Sequence, residues 1–261
     1  MASMTYDDAA AERLEAVYRG YDVQAQRDMT CKVLGLRKGE HVLDIGSGPG
    51  FLAAQMADLV GPQGHVLGVD LSEQMVARAG NRNERDWLSY VAADATDLPC
   101  EDNSYDVVVS TQVAEYVADI EGFCAEVMRV MKPGGRGLII ATDWNAISWH
   151  STDPDRMQRV MQAFAPHCAD SSLPRTLGKR LTDAGLRLDD VSYYAIINRK
   201  LEEGNYISGM IPFVHAYVSA QGTMPGDQLD AWQAEQVALD REGGFFFATG
   251  RFIFTITKAA D

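Results

Sequence analysis

Residues 42–53, Val-Leu-Asp-Ile-Gly-Ser-Gly-Pro-Gly-Phe-Leu-Ala, limit what this chain can fold into more than any other segment. A strand-like apolar stretch leads into glycines at positions 46, 48 and 50, and the apolar run that follows has a helical pattern. Closely spaced glycines let a strand turn sharply into a helix and let a ligand approach the backbone. The segment therefore predicts the first strand–turn–helix unit of a nucleotide-binding α/β sheet.

The acid in this segment indicates the charge of the ligand. Dinucleotide-binding proteins use Gly-x-Gly-x-x-Gly, whereas this chain has Gly-x-Gly-x-Gly with Asp44 two residues before the first glycine. A pyrophosphate would be repelled by Asp44, whereas an ammonium or sulfonium group would be attracted. The sequence therefore favours S-adenosylmethionine over NAD as the bound nucleotide.

Two further acids follow apolar segments that read as the next two strands. His65–Val69 leads to Asp70, which lies 24 residues after Gly46, and Leu88–Ala93 leads to Asp94. A carboxylate at the end of the second strand can accept both ribose hydroxyls, and one at the end of the third can accept from an adenine amino group. Three acids at three successive strand ends are a more specific signal than any one of them.

Strand and helix patterns alternate along the chain and predict an α/β fold. We expect a doubly wound, mostly parallel seven-stranded sheet of Rossmann-like type, with a helical cap inserted before the last strand. Residues 1–35 would form N-terminal helices that cover the cofactor mouth. Residues 36–261 would form the main domain, in which 204–243 is the cap. The predicted strands are near 41–45, 65–69, 88–92, 105–110, 136–142, 188–198 and 245–257.

Five segments resemble the class I S-adenosylmethionine-dependent methyltransferases: Val42–Leu52, Gly68–Met75, Ala93–Thr96, Tyr105–Tyr116 and Val130–Ile140. The resemblance is to the small-molecule branch that includes the quinone and sterol C-methyltransferases, with similarity to arsenite methyltransferases. Ser47 replaces the commoner cysteine or alanine of the glycine turn. The resemblance implies transfer of a methyl group from S-adenosylmethionine to a small organic acceptor. Together with the strand-end pattern it predicts these cofactor-binding residues: Asp44, Gly46, Ser47, Gly48, Gly50, Asp70, Leu71, Met75, Asp94, Ala95, Thr111 and Gln112.

Charge and composition exclude several classes of partner. The net charge of −14 repels phosphate backbones, so we expect no nucleic-acid substrate. No stretch approaches the roughly 18 apolar residues of a membrane span, and we expect a cytoplasmic protein. The four cysteines are isolated in sequence, which predicts no metal site and argues against arsenic chemistry, because that chemistry needs convergent thiolates. A small-molecule partner is expected, and a homodimer is left open.

The sequence also offers candidates for the residues that contact the methyl acceptor. His150, which follows the fifth strand, and His215, within the cap, are candidates for a general base because imidazole titrates near neutrality; Tyr18 is a third catalytic candidate. The expected substrate pocket contains Tyr21, Tyr116, Trp144, Trp149, Tyr206 and Arg251. Arg251 would bind an acceptor carboxylate or pair with a buried acid. Two alternative functions stay open: a non-catalytic S-adenosylmethionine-binding protein and an NAD-dependent oxidoreductase.

Overall fold

The computed structural model describes residues 8–260, and its centre is one twisted sheet. The strands are β1 (His41–Ile45), β2 (His65–Asp70), β3 (Leu88–Ala92), β4 (Tyr105–Thr111), β5 (Met131–Thr142), β6 (Ser148–Trp149), β7 (Arg187–Asn198) and β8 (Phe247–Thr257). Seven long strands lie in the order β3-β2-β1-β4-β5-β8-β7. The first five are parallel, and β8 runs antiparallel to both β5 and β7. The predicted seven-stranded, mostly parallel fold is confirmed.

Helices cover both faces of the sheet. They are α1 (Asp8–Arg19), α2 (Tyr21–Leu34), α3 (Phe51–Val60), α4 (Glu73–Arg82), α5 (Ile120–Val130), α6 (Pro154–Phe164), α7 (Pro174–Asp183), α8 (Tyr206–Gln221) and α9 (Gly226–Arg241). One core packs α5 and α7 against the sheet, and a second packs α3 and the end of α2 against the opposite face. Because both faces are covered, the central strands are apolar almost throughout; Val42, Leu43 and Ile45 of β1 are fully buried.

A third apolar core lies beyond the carboxyl ends of the parallel strands. It joins α8 and α9, which lie between β7 and β8 in the chain, to α6. The predicted break at Met224-Pro-Gly separates the two cap helices, since α8 ends at Gln221 and α9 begins at Gly226. The structure adds α6, which contributes Val160 and Phe164 to this core.

The N-terminal helices pack on the cap at two glycines. A Cβ on Gly20 would stand 2.4 Å from the carbonyl oxygen of Gly204, and one on Gly209 would stand 2.1 Å from a methyl group of Val17. The Asp22 carboxylate accepts hydrogen bonds from the backbone N–H of Tyr206, at 2.8 Å, and from a side chain of β7. These contacts place α1 and the start of α2 beside α8 at the carboxyl edge of the sheet.

The strand boundaries differ from expectation mainly at β5. This strand begins at Met131, five residues before the predicted start, because Tyr105 pairs with Met131 before the register shifts. The two-residue strand β6 was not predicted; it pairs with Ala248 and Phe247 of β8. None of the described helices is both long and apolar enough to cross a bilayer.

Candidate functional site

The glycine turn between β1 and α3 is left-handed at all three glycines, with φ values of 77°, 52° and 82° at Gly46, Gly48 and Gly50. A Cβ on Gly46 would stand 2.0 Å from Val113, and one on Gly50 would stand 2.4 Å from the Tyr90 hydroxyl. A Cβ on Gly48 would meet nothing within 4 Å. The outer two glycines therefore allow close packing, whereas the middle one faces open space where a ligand can approach.

Asp44 lies beneath this turn and is almost completely buried. Its Oδ2 has no hydrogen-bond partner among residues 8–260. Burial, with a smaller contribution from the nearby Asp70, raises the pKa of Asp44 from 3.8 to about 7. An unpartnered buried carboxyl group of this kind is completed by a cation or by a hydrogen-bond donor.

Asp70 connects the turn to the second strand. Its Oδ2 accepts from the backbone N–H of Gly48 at 2.8 Å, and its Oδ1 accepts from Ser72 N–H at 2.9 Å. Burial raises the pKa of Asp70, and the two backbone hydrogen bonds oppose that rise. Asp70 therefore holds the glycine turn in position in addition to any contact it makes with a ligand.

The remaining predicted cofactor residues surround the same strand ends. Asp94 follows β3 and accepts from the N–H and hydroxyl of Thr96, at 2.9 and 2.8 Å. Leu71 is 49% exposed at the mouth, whereas Met75 is buried. Ala95 and Thr111 are partly buried, and the Ser47 hydroxyl is buried with no partner in the described part of the chain. The fold thus gathers the three predicted acids at the adjacent ends of β1, β2 and β3.

Gln112 follows β4 in a conformation that is rare for a residue with a side chain, with φ of 58°. In the amide orientation that satisfies the neighbouring donors, the oxygen of Gln112 accepts from both terminal nitrogens of Arg251, at 2.8 and 2.7 Å. Backbone strain at a site edge persists only where the surroundings impose it. Here Arg251 supplies that constraint, and it fixes the direction of the amide.

Arg251 is completely buried in the middle of β8. It donates to the side-chain oxygens of Thr142 and Gln26 in addition to Gln112, and its guanidinium lies 4.9 Å from the ring centre of Tyr206. No ion pair to Arg251 forms within residues 8–260, so the expected alternative of a direct pair with a buried acid is not found. A buried cation with only neutral hydrogen-bond partners can accommodate an anionic group.

Glu115 is also completely buried, and it interacts electrostatically with Arg251. Its Oε1 accepts from the backbone N–H of Thr142 at 3.1 Å, and its Oε2 has no partner among the residues described. Burial raises the pKa of Glu115 to about 7, although the charge of Arg251 opposes this. A carboxyl group whose pKa is near 7 can exchange a proton with a bound molecule at neutral pH.

The sequence analysis did not single out His167, which lies in an aromatic cluster. We define the aromatic cluster as Tyr116, Trp144, Phe164, His167, Phe213 and Tyr217. His167 stacks on Phe164 with 3.8 Å between ring centres, and the edge of Trp144 meets it at 4.5 Å. No local motif marks His167, because its partners other than Phe164 come from turns and helices far apart in the chain.

The structure places the two predicted histidines away from these groups. The His150 side chain is exposed after β6, where its backbone N–H donates to Phe246. His215 on α8 is hydrogen-bonded through Nε2 to Asp230 of α9 at 2.8 Å. The catalytic roles assigned to both residues stay predictions. The bond to Asp230 connects His215 to the second cap helix.

The predicted aromatic residues separate into two groups. Tyr116 lies near Glu115, Tyr206 lies against Arg251, and Trp144 contacts His167. Tyr18 of α1 packs on the cap core. Two others lie elsewhere: Trp149 donates to Gln236 of α9 at 2.9 Å, within the cap, and Tyr21 is 49% exposed. Burial raises the pKa of Tyr116 well above its usual range, so its hydroxyl stays protonated.

An acid beneath a glycine turn and acids at the next two strand ends of a doubly wound sheet define a nucleotide-binding protein of Rossmann-like fold. Comparison with known proteins specifies the domain. Residues 43–139 match the family described as "Methyltransferase domain". The chain thus carries a class I S-adenosylmethionine-dependent methyltransferase domain, and this predicted resemblance is confirmed.

The relatives differ in how much of the chain they cover. An uncharacterised 37.1 kDa protein of a Streptomyces fradiae transposon is 29% identical over 88% of this chain and 66% of its own length. The ubiquinone/menaquinone biosynthesis C-methyltransferase UbiE of Idiomarina loihiensis is 39% identical over 41% of this chain and 44% of that enzyme. The chain therefore spans at most about two thirds of these relatives.

A solved structure supports the fold over nearly the whole chain. Phosphoethanolamine N-methyltransferase 2 of Haemonchus contortus, in complex with S-adenosyl-L-methionine, is 18% identical with a TM-score of 0.64. The match covers 98% of this chain and 58% of that one. At this identity the likeness concerns the fold.

The residues around the glycine turn fit S-adenosylmethionine. The unpartnered Oδ2 of Asp44 suits a cationic amino group, and the open space at Gly48 allows close backbone approach. The prediction of S-adenosylmethionine as cofactor of this domain is confirmed by the domain match. Which individual residues contact it stays a prediction.

Proposed function

We propose that the protein transfers a methyl group from S-adenosylmethionine to a small organic acceptor. The observation that carries this proposal is the Asp44 carboxyl group, which is buried without a partner beneath an open glycine turn. A pyrophosphate would bring negative charge next to this acid, which argues against the NAD-dependent alternative. The matched methyltransferase domain, residues 43–139, includes this turn.

Around the cofactor, the proposed roles follow the strand order. Asp44 would hold the amino group of the methionine part, and Asp70 would accept from the ribose hydroxyls while keeping Gly48 in place. Asp94 would face the adenine amino group. S-adenosylmethionine supplies an electrophilic methyl group on a sulfonium centre. The chain's own contribution is to hold both reactants in line and to exclude water.

On the acceptor side, two ionisable side chains, Arg251 and Glu115, are buried. Arg251 would attract or orient an anionic group, and it keeps the Gln112 amide in a single direction. Glu115, with its raised pKa and unpartnered Oε2, could accept a proton from the acceptor. A non-catalytic binding protein has no need for two buried ionisable groups at this edge, so these groups favour an enzyme.

We further propose that the N-terminal helices and the cap close over the site. Glu15 of α1 is buried and pairs with Arg82 of α4 at 2.8 Å, while Arg82 also donates to the carbonyl oxygen of Pro49 in the glycine turn. These bonds connect α1 directly to the cofactor turn. The division into N-terminal helices (1–35), a main domain (36–261) and a cap (204–243) stays a proposal, and residues 1–7 lie outside the described part of the chain.

The net charge of −14 supports a small molecule over nucleic acid as the acceptor. The element that is methylated (oxygen, nitrogen, carbon or sulfur) is left open. A homodimer and a cytoplasmic location stay predictions from the sequence.

The test combines binding with transfer. Calorimetry should show binding of S-adenosylmethionine and S-adenosylhomocysteine and no binding of NAD. A metabolite panel should then be screened for transfer of the labelled methyl group. Binding of NAD without any heat from S-adenosylmethionine would refute the proposal. Cofactor binding without transfer to any member of a broad panel would favour the non-catalytic alternative.

A further inference from the structure

Two polar atoms inside the aromatic cluster have no hydrogen-bond partner among the residues that the structure describes. They are Nε2 of His167 and Nε1 of Trp144, and both side chains are more than nine-tenths buried. The centres of the two rings are 4.5 Å apart and the rings are perpendicular, so the two polar atoms belong to side chains in direct contact. Buried polar groups in native proteins nearly always have partners, so a pair of orphans in one cluster indicates a ligand.

The hydrogen-bonding of His167 fixes which proton it carries. Its Nδ1 lies 2.8 Å from the carbonyl oxygen of Phe164. A carbonyl oxygen only accepts, so Nδ1 carries the hydrogen and Nε2 of the neutral ring presents a lone pair. Burial lowers the pKa of His167 to about 4, which keeps the ring neutral at pH 7. Trp144 Nε1 carries a hydrogen and can only donate.

The cluster is anchored to the strand ends where the acceptor is expected. The backbone N–H groups of Ala169 and Asp170 donate to the carbonyl oxygen of Glu115, at 2.9 and 3.1 Å. The N–H of Trp144 donates to the carbonyl oxygen of Ser171 at 2.8 Å. The segment that carries His167 is therefore fixed to the turns that follow both β4 and β5.

The other side chains of the aromatic cluster are rings that extend from the buried core toward the surface of the cap. Phe164 is buried, whereas Tyr116, Phe213 and Tyr217 are partly exposed. Phe164 meets Phe213 and Tyr217 edge to face, with ring centres 5.9 and 5.6 Å apart. Aromatic side chains of this kind pack favourably against a planar, largely apolar molecule.

We propose that the acceptor is a planar apolar molecule with a hydroxyl group, and that this hydroxyl donates to Nε2 of His167. The same hydroxyl oxygen accepts from Nε1 of Trp144, so that one group satisfies both buried atoms. A protonated amine would satisfy His167 and leave Trp144 without a partner, because an ammonium nitrogen has no lone pair. The inference rests on the proposed function for its placement at the acceptor site, but it can be tested without turnover.

The probe is a matched pair of ring compounds, 1-naphthol and naphthalene, which differ by a single hydroxyl group. Their affinities are measured by fluorescence titration, both for the protein alone and in the presence of S-adenosylhomocysteine. Wild-type protein should prefer 1-naphthol by roughly 5- to 150-fold, the range expected for two net hydrogen bonds. In protein labelled with ¹⁵N-histidine, the Nε2 resonance of His167 should move with 1-naphthol and stay in place with naphthalene.

Three variants separate a binding role from a packing role. His167→Asn keeps a donor for the Phe164 carbonyl but lacks Nε2, and His167→Phe keeps the stacked ring but lacks both nitrogens. Both should lose the part of the preference for 1-naphthol that the His167 bond provides, a reduction of roughly three- to tenfold, while still binding naphthalene. His167→Gln returns an acceptor near the Nε2 position and should recover part of the preference. The matched control is His65→Asn, because His65 lies at the opposite end of the sheet against Ser89.

The inference is wrong if wild-type protein binds the two compounds equally, if it binds neither, or if the preference is undiminished in His167→Asn and His167→Phe. Its failure is distinguishable from failure of the proposed function. The latter is decided by S-adenosylmethionine binding and methyl transfer, whereas the naphthol preference is also measured without cofactor.

Discussion

Replacing Asp44 by asparagine should make the protein more stable and at the same time weaken its binding of cofactor. The substitution keeps the shape of the side chain and removes its ability to ionise. Asp44 is buried and lacks a partner for Oδ2, so its charged form is disfavoured in the cofactor-free protein. The same charge is what we expect to bind the amino group of S-adenosylmethionine.

The size of the stability change follows from the pKa of Asp44. Folding raises this pKa from 3.8 to about 7. The free-energy cost of that rise is absent below about pH 3, where Asp44 is protonated in both the folded and the unfolded state. It grows as the pH rises and is complete above about pH 8, at about 4 kcal/mol, because each pH unit is worth about 1.4 kcal/mol. At roughly pH 5.5 this free-energy cost is about half of its full value.

Urea unfolding of the cofactor-free protein measures this difference. The stability gain of Asp44→Asn over wild type should increase by about 2 kcal/mol between pH 5.5 and pH 8. Asp190→Asn is the control, since it makes the same change at an exposed position on β7. A stability gain that does not vary with pH would refute the burial argument.

Cofactor binding should change in the opposite direction. Removing one partner of a buried charge pair costs about 2–5 kcal/mol, so affinity at pH 7 should fall by roughly 30-fold to several thousand-fold. Below pH 7 wild type must release a proton from Asp44 to bind the cation, so its affinity should fall about tenfold per pH unit. Calorimetry at several pH values should show this slope in wild type and its loss in the variant. Equal affinity of the two proteins would refute the assignment of Asp44.

Three further predictions concern the turn, its anchor and the cap. Gly48→Ala should fold and lose cofactor affinity, whereas Gly46→Ala should unfold at a much lower temperature because its Cβ would stand 2.0 Å from Val113. Thermal unfolding measures the stability of both variants, and calorimetry measures their affinity for the cofactor. Asp70→Ala should weaken cofactor binding by about 1–3 kcal/mol and also lower the free energy of unfolding, because its carboxylate holds two backbone N–H groups; unchanged affinity would contradict the ribose assignment. Without ligand, backbone amides of 204–243 should exchange hydrogen faster than those of the central strands; equal protection in mass spectrometry would argue against a lid.

The glycine turn and the strand-end acids could be predicted from the sequence because their geometry is local. Gly46, Gly48 and Gly50 follow an apolar strand directly, and parallel strands all end at one edge of the sheet. That edge gathers Asp44, Asp70 and any other acid that follows a strand. The cap was predictable for a similar reason, since forty residues between two strands require their own helices.

The acceptor side depends on tertiary packing. His150 and His215 stood out in the sequence because of their positions after β5 and in the cap, yet one is exposed and the other is bonded to Asp230. His167 has no local signature. Its ring becomes buried only because a turn after α6 meets Trp144 and the cap helix α8.

The same distinction holds for the charged groups. An acid such as Glu115 in a turn before a helix is ordinarily solvated, and an arginine such as Arg251 in an aromatic strand has no evident partner along the chain. Their burial, and the pKa of about 7 at Glu115, arise from the convergence of β4, β5, β8 and α2. The sequence by itself determined the sheet and the cofactor turn, since both depend on neighbouring residues. Only the tertiary structure decided which distant side chains meet and lose water, and desolvation sets their chemistry.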